Sequence, residues 1–324
     1  MIMVESTSAM RAEKARVAVV GIVGRTNAGK STLVNRLVGE KISIVSPVEQ
    51  TTRNTVRGIV SDSRGQLVLL DTPGLHKAEG RLGTLLNRMA RRSAAGVDIL
   101  CVVFDAAQEP QMEDVGWMKR VAKERPGKVV FVLNKADKRP FFETMYHEAW
   151  SAALDESSLK TEEGDPPMPV EPRWTKAIAT TEGGEKAVLD ALFALADEGE
   201  PLFPDDVVTD YPRRLAIADV IREKFLLRMH QEIPHELGIC VKALHETAGR
   251  WDVKVDILVN RPSQKPIVIG RGAEILKNVR KASERELSEI FEVRVALEMW
   301  VRVEPRWMEN ARLLAEMGYL GGEI

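Results

Sequence analysis

The chain has 324 residues, 44% of them hydrophobic and 29% charged, with 46 Lys and Arg against 48 Asp and Glu. That length exceeds one ordinary domain and predicts two cores, while a formal net charge of -2 excludes a wholesale polyanion binder and leaves room for a local basic face. Cys101 and Cys240 lie in separate apolar runs and read as buried thiols in a reducing compartment; the N-terminal "MIMVESTSAMRAEKAR" lacks the apolar core of a leader, and no stretch is apolar enough to span a membrane.

From about Arg16 to Ala196, short apolar runs alternate with helix-length amphipathic segments. Strands are predicted at 17–23, 55–62, 66–71, 98–105, 128–134 and 174–180, the second and third forming an antiparallel hairpin around "SRG". The pattern is that of an α/β domain with a mostly parallel, doubly wound sheet, one antiparallel strand and helices on both faces. Pro201, Pro204 and Pro212 follow an acidic stretch and mark a linker at 201–212, between one unit at 15–200 and another at 213–324.

The second unit opens with an amphipathic helix carrying Leu215, Ala218, Ile221 and Phe225, then two strands, "LGICVKALHE" and "WDVKVDILVN", around a turn at Gly249. Two helices follow, at about 273–281 and 284–291. In "VRVALEMWVRV", Val295, Leu297, Met299, Val301 and Val303 then alternate onto one side of a last strand. The order is α-β-β-α-α-β.

"GRTNAGKS" fits G-x-x-x-x-G-K-[ST] as Gly24, Gly29, Lys30 and Ser31, with an apolar strand before it and a helix after it. Such a loop turns backbone N–H groups, here from Asn27 to Thr32 and including Ala28, around phosphate oxygens; Lys30 reaches the β- and γ-phosphates and the Ser31 hydroxyl ligates Mg²⁺. Phosphates carry no base information, so another segment must choose the nucleotide. "NKAD", Asn134 to Asp137 with Lys135 between, follows the strand "KVVFVL" at the ligand-presenting edge of the sheet. Asp137 there can accept two hydrogen bonds from guanine N1–H and N2, whereas adenine offers no such donor pair.

"DTPG" ends another strand: Asp71 can hold Mg²⁺, usually through water, and the Gly74 N–H can meet the γ-phosphate. In "SPVEQTTRNT", Thr51 or Thr52 can complete the Mg²⁺ shell, Thr52 being preferred. Lys30, Thr52 and Gly74 are the candidate catalytic groups.

The ordered set "GRTNAGKS", "QTTR", "DTPGL" and "NKAD", with "IREKFL" at 221–226 and "LEMWVRVEPRW" near the end, resembles the Era family of translation-factor-like small GTPases. The resemblance implies an α/β P-loop GTPase domain followed by an α+β type II KH domain. It also implies GTP and GDP as ligands, Mg²⁺ as cofactor, and small-subunit (16S) ribosomal RNA and the 30S subunit as partners in assembly. A cytoplasmic monomer is expected, with peripheral membrane contact left open.

Several positions depart from or refine that pattern. Leu75 stands where Ras-like enzymes have a water-orienting glutamine, so intrinsic hydrolysis should be slow. Asn27 occupies the loop position that in related GTPases helps bind K⁺. The fifth motif, a Ser-Ala pair in relatives, reads Ala179-Thr180, leaving the guanine oxygen to backbone amides. The G-x-x-G loop of the KH domain reads Gly270, Arg271, Gly272, Ala273; in the first helical turn, Ala273 would take helical φ and ψ without disturbing the nucleic acid.

Arg261, Lys265, Arg271, Lys277, Arg280 and Lys281 face only Glu274 between 261 and 281, suiting a phosphate-facing surface. The five histidines show no metal spacing, and Trp300 and Trp307 read as packing or surface residues. Two alternatives stay open on sequence grounds: a GTP-loaded module with negligible catalysis, and a GTPase whose second domain contacts protein or membrane.

Overall fold

A computed structural model describes residues 15–46, 52–73, 80–93, 96–158, 170–229 and 236–319. β1 (Arg16–Val23) lies inside a sheet ordered β2-β3-β1-β4-β5-β6, built with β2 (Val56–Asp62), β3 (Gly65–Asp71), β4 (Ile99–Asp105), β5 (Val129–Asn134) and β6 (Arg173–Lys176). Successive neighbours pair in parallel except β2, antiparallel to β3 through the hairpin at 63–64. A two-residue β7 (Asp197–Glu198) also runs antiparallel along the start of β1. β4 and β5 are buried at every position, as continuous apolar runs must be when both faces of a sheet are covered.

Leu33, Val34 and Leu37 of α1 (Lys30–Val38) and Val188 and Leu192 of α5 (Lys186–Leu195) close one face. Trp117, Met118 and Val121 of α3 (Met112–Glu124), with Tyr146 and Trp150 of α4 (Glu143–Ser158), close the other. Parallel strands covered on both sides leave one open edge, where the carboxyl ends of β1, β3, β4 and β5 meet.

The second sheet is three-stranded, β10-β9-β8, made of β8 (Gly238–Glu246), β9 (Arg250–Val259) and β10 (Arg294–Val303). β9 is central, antiparallel to β8 and parallel to β10. Its core joins Ile217, Ile221 and Phe225 of α6 (Arg213–Leu226), Val268 of α7 (Gln264–Ile269), and Val279 and Leu287 of α8 (Glu274–Phe291). A separate apolar cluster joins the two domains: Leu82 and Leu86 of α2 (Gly80–Ser93) pack with Trp307 and with Leu314 of α9 (Ala311–Glu316). Trp307 is fully buried and its indole N–H donates to the Glu236 carbonyl at 2.8 Å, whereas Trp300 is exposed.

Two expectations change. The helices expected at 273–281 and 284–291 are one 18-residue helix, because Ser283 at the supposed break is a buried mid-helix residue; the other helix, α7, precedes the glycine loop. Pro266 is tolerated there because a first helical turn has no use for its missing N–H. The strand expected at 174–180 stops at Lys176. The proline-rich stretch at 201–212 does lack helix and strand, but it is fastened to the first sheet. Gln66 Oε1 accepts from the N–H groups of Leu202 and Phe203, and Ile59 N–H donates to the Val208 carbonyl at 2.9 Å.

Candidate functional site

Lys30 is the first residue of α1, and Gly29 caps it at φ 94°, a left-handed conformation that glycine adopts without strain. A Cβ on Gly29 would also lie 2.3 Å from the Asn134 amide nitrogen, so no other residue fits. Lys30 is buried and curls back on the loop, donating to the carbonyls of Gly24 (3.2 Å) and Arg25 (2.8 Å). Burial pushes its pKa down to about 8 against the opposing pull of Asp71. An ammonium so desolvated is stabilised by any anion that enters the loop.

Asp71, at the end of β3, is fully buried, and among the described residues neither carboxylate oxygen makes a hydrogen bond of normal geometry. Burial raises its pKa, opposed by Ser31, Lys30 and Ser43 close by. Ser31 and Thr52 share a hydrogen bond of 2.8 Å, so two of the predicted Mg²⁺ ligands already touch. An orphaned carboxylate beside two hydroxyls is an all-oxygen donor set, which fits Mg²⁺. Asn27 takes φ 60°, and Thr32 is half-buried in the first turn of α1. Gly74, Leu75, Thr51 and His76 lie outside the described residues.

On the base side, the Asn134 side chain is buried and bridges two loops: its Nδ2 donates to the Ala28 carbonyl at 2.9 Å and its Oδ1 accepts from the Ala179 N–H at 3.2 Å. Lys135, at φ 63°, donates to the Asn27 carbonyl at 3.1 Å and to Asp105 Oδ2 at 2.7 Å. Asp137 is exposed at the rim, 3.5 Å from the Lys138 ammonium. Thr180 is exposed beside Ala179, its carbonyl accepting from Arg36. One sheet edge thus brings together every described nucleotide candidate.

Arg25, Asp105 and Asp114 were not picked out by motif, yet they join this edge. Arg25 donates to Asp114 Oδ2 at 3.1 Å and lies 3.4 Å from Asp105 Oδ2. Burial raises the pKa of Asp114, which Gln111 N–H and Arg25 oppose by binding its charged form. The available signal was a carboxylate ending the wholly apolar strand "ILCVVFD". The cysteines are buried, each thiol pushed up to about 12, chiefly by burial.

In the second domain, Gly270 takes φ 77°, and a Cβ there would strike Ile275 at 2.7 Å. Arg271, Gly272 and Ala273 form a single 3₁₀ turn ahead of α8, and Lys277 closes it by donating to the Gly272 carbonyl at 3.1 Å. Arg261, Lys265, Arg271, Lys277, Arg280 and Lys281 are all exposed, and Arg261 lies 3.8 Å from Glu236. Ala273 corrects its expectation: it caps α8 at φ 61°, ψ 27°, outside the helical region.

Residues 19–135 match a family model described as 50S ribosome-binding GTPase, and residues 232–308 match one described as KH domain. GTPase Era of Geobacter sp. (strain M21) is 37% identical over 311 residues, covering 96% of this chain and 100% of that one. The chain belongs to the Era family of GTPases. GTPase Era of Synechocystis sp. (strain ATCC 27184 / PCC 6803 / Kazusa) is likewise 37% identical, over 93% of this chain and 91% of that one. Two solved Era structures share 30% identity and cover 94% of this chain and 99% of their own: an Aquifex aeolicus variant bound to GDP and AlF4⁻ (TM-score 0.81), and an Era complex with MgGDPNP and nucleotides 1506–1542 of 16S ribosomal RNA (TM-score 0.82). As in that family, the P-loop GTPase domain precedes a KH domain, and among the described residues no helix is long and apolar enough to cross a membrane.

The left-handed alanine yields a direct test. Ala273→Gly should raise stability by about 0.5–1 kcal/mol in urea unfolding, since relief of αL strain exceeds the entropy glycine adds to the unfolded chain; a loss of stability would contradict the strained geometry.

Proposed function

We propose that this GTPase is a slow, GTP-operated switch whose second domain, residues 213–324, binds small-subunit (16S) ribosomal RNA and assists 30S assembly in the cytoplasm. The observation that carries the reading is how the chain between α1 and β2 is fastened to that domain. Lys41 donates to both carboxylate oxygens of Glu223 (2.9 and 2.8 Å) and to Glu286 (2.7 Å), and the Val45 N–H donates to Glu223 at 2.9 Å. Arg53, beside Thr52, donates to the Leu237 carbonyl at 2.9 Å. The third phosphate orders segments like 50–53 and 71–77 in GTPases; here Arg53 is bonded to Leu237 just ahead of β8, and the stretch at 41–45 that precedes it is bonded to α6 and α8.

In this reading the loop from Gly24 to Thr32 wraps the phosphates, Lys30 neutralises their charge, and Ser31, Thr52 and Asp71 hold Mg²⁺, which supplies further neutralisation along the β- and γ-phosphates. The Gly74 N–H meets the γ-phosphate, and Asn27 is the loop residue that would hold K⁺, which would add positive charge where no arginine finger is supplied. With Leu75 in the water-orienting place, turnover is slow and serves as a timer. Asp137 reads guanine, helped by the backbone at Ala179 and Thr180 and by Asn134 and Lys135. The basic turn Gly270 to Ala273, with Lys277, Arg280 and Lys281, meets the RNA backbone; the 16S RNA fragment and Mg-nucleotide in the solved Era complex support both assignments.

Asp137→Asn should weaken GTP binding by at least ~100-fold and favour xanthosine triphosphate, because the amide nitrogen presents a donor where the guanine N2 amine needs an acceptor and xanthine offers an oxygen. Unchanged GTP affinity in calorimetry would refute the role. Arg271→Glu with Lys277→Glu should cost at least ~10-fold in affinity for a 3′-terminal 16S RNA fragment and flatten the slope of log K against log salt by about 1.4, two single-strand phosphate contacts' worth. Salt-insensitive binding, untouched by the double substitution, would point to a protein or membrane partner instead.

A further inference from the structure

β4 lies between β1 and β5, and those two flanking strands carry the phosphate loop and the guanine-reading loop. The last residue of β4, Asp105, pairs in register with Asn134 and is almost fully buried, so its charge must be met by protein groups. Those groups come from both neighbours. Its Oδ2 accepts from the Lys135 ammonium at 2.7 Å on one side and lies 3.4 Å from Arg25 Nη2 on the other, while Oδ1 accepts from the Ala107 N–H at 3.3 Å. Lys135 then reaches the Asn27 carbonyl within the phosphate loop, and Arg25 is held from behind by Asp114 and Gln108. Tyr146 in turn donates to the Asp105 carbonyl at 3.0 Å and fixes the strand end.

We propose that Asp105 is a positioning residue for nucleotide retention: one carboxylate oxygen sets both the Lys135 ammonium and the Arg25 guanidinium, and thereby keeps the phosphate grip and the base grip in a fixed mutual geometry. The proposal rests on the guanine-nucleotide reading of this edge. Asp105 touches neither reacting atom nor metal ligand, so its effect falls on residence time and not on phosphoryl transfer. Charge-assisted hydrogen bonds to a desolvated carboxylate lose most when the charge is removed and the shape kept, which is what Asp105→Asn does.

The experiment is stopped-flow release of methylanthraniloyl-GDP from the full chain, paired with single-turnover GTP cleavage at saturating protein. Asp105→Asn should speed release at least ~10-fold, the loss of one hydrogen bond to charge, with cleavage of bound GTP kept within ~3-fold of the parent. Arg25→Gln cuts the same network at its partly exposed rim and keeps the proposal testable if the buried change reduces the folded fraction. It should speed release as well, and the two substitutions together should be less than additive, since they act through one oxygen. Release within ~2-fold of the parent in both variants, full additivity, or cleavage falling as far as retention would overturn it. A parent chain that retains no GDP would sink the guanine reading itself, whereas a parent that retains GDP beside unaltered variants sinks only the role of Asp105.

Discussion

The structure turns on one buried amide. Asn134 sits at the end of β5 with its nitrogen given to the Ala28 carbonyl and its oxygen to the Ala179 N–H. An amide is the only side chain of that size that can donate on one side and accept on the other. An aspartate there would face the carbonyl with an acceptor, a leucine would orphan both backbone groups, and each orphan costs about 1–3 kcal/mol. Because these bonds run from the phosphate loop to the loop after β5 and on to the turn at 179–180, the three form one seat. Gly29 belongs to the same constraint, since a Cβ there would occupy the amide's place.

A second constraint extends from that seat to the other domain. Glu223 is buried on α6 and meets Lys41, Lys224 and the Val45 N–H, while Glu286 of α8 meets the same two lysines. Glu223 is nearly fully buried, so its charge depends on these partners. The chain between α1 and β2 therefore cannot rearrange around a nucleotide without repartnering Glu223. Apolar packing of α2 against Trp307 and Leu314 provides a second connection between the domains. The stretch at 41–45 is thus tied to α6 and α8 by bonds, not by proximity alone.

The sheet and the site were legible where a local pattern carried the information. Six apolar runs gave the strands of the first domain to within a residue or two at most ends, and the ordered motifs brought Lys30, Ser31, Thr52, Asp71 and Asn134 to one edge. Long-range bonds were not legible: Asn134 reads as part of a base-recognising tetrapeptide, yet its amide is spent on a carbonyl 106 residues away. Arg25, Asp105 and Asp114 escaped for the same reason, because no spacing announces that three loops converge. Local readings failed where tertiary packing overrode them. Ser283 lies where two helices were expected to part and is core. Ala273 looked like a helical residue, but the turn that Gly270 starts and Lys277 closes holds it left-handed.

Titration calorimetry of the full chain with Mg-GDP and, separately, Mg-ADP tests most directly whether the sheet edge is a single preassembled guanine seat. With Asp137 as the guanine reader of the proposed function, GDP should bind at least ~10³-fold tighter than ADP, because adenine offers that carboxylate no donor pair. Equal affinities for the two nucleotides would contradict the account.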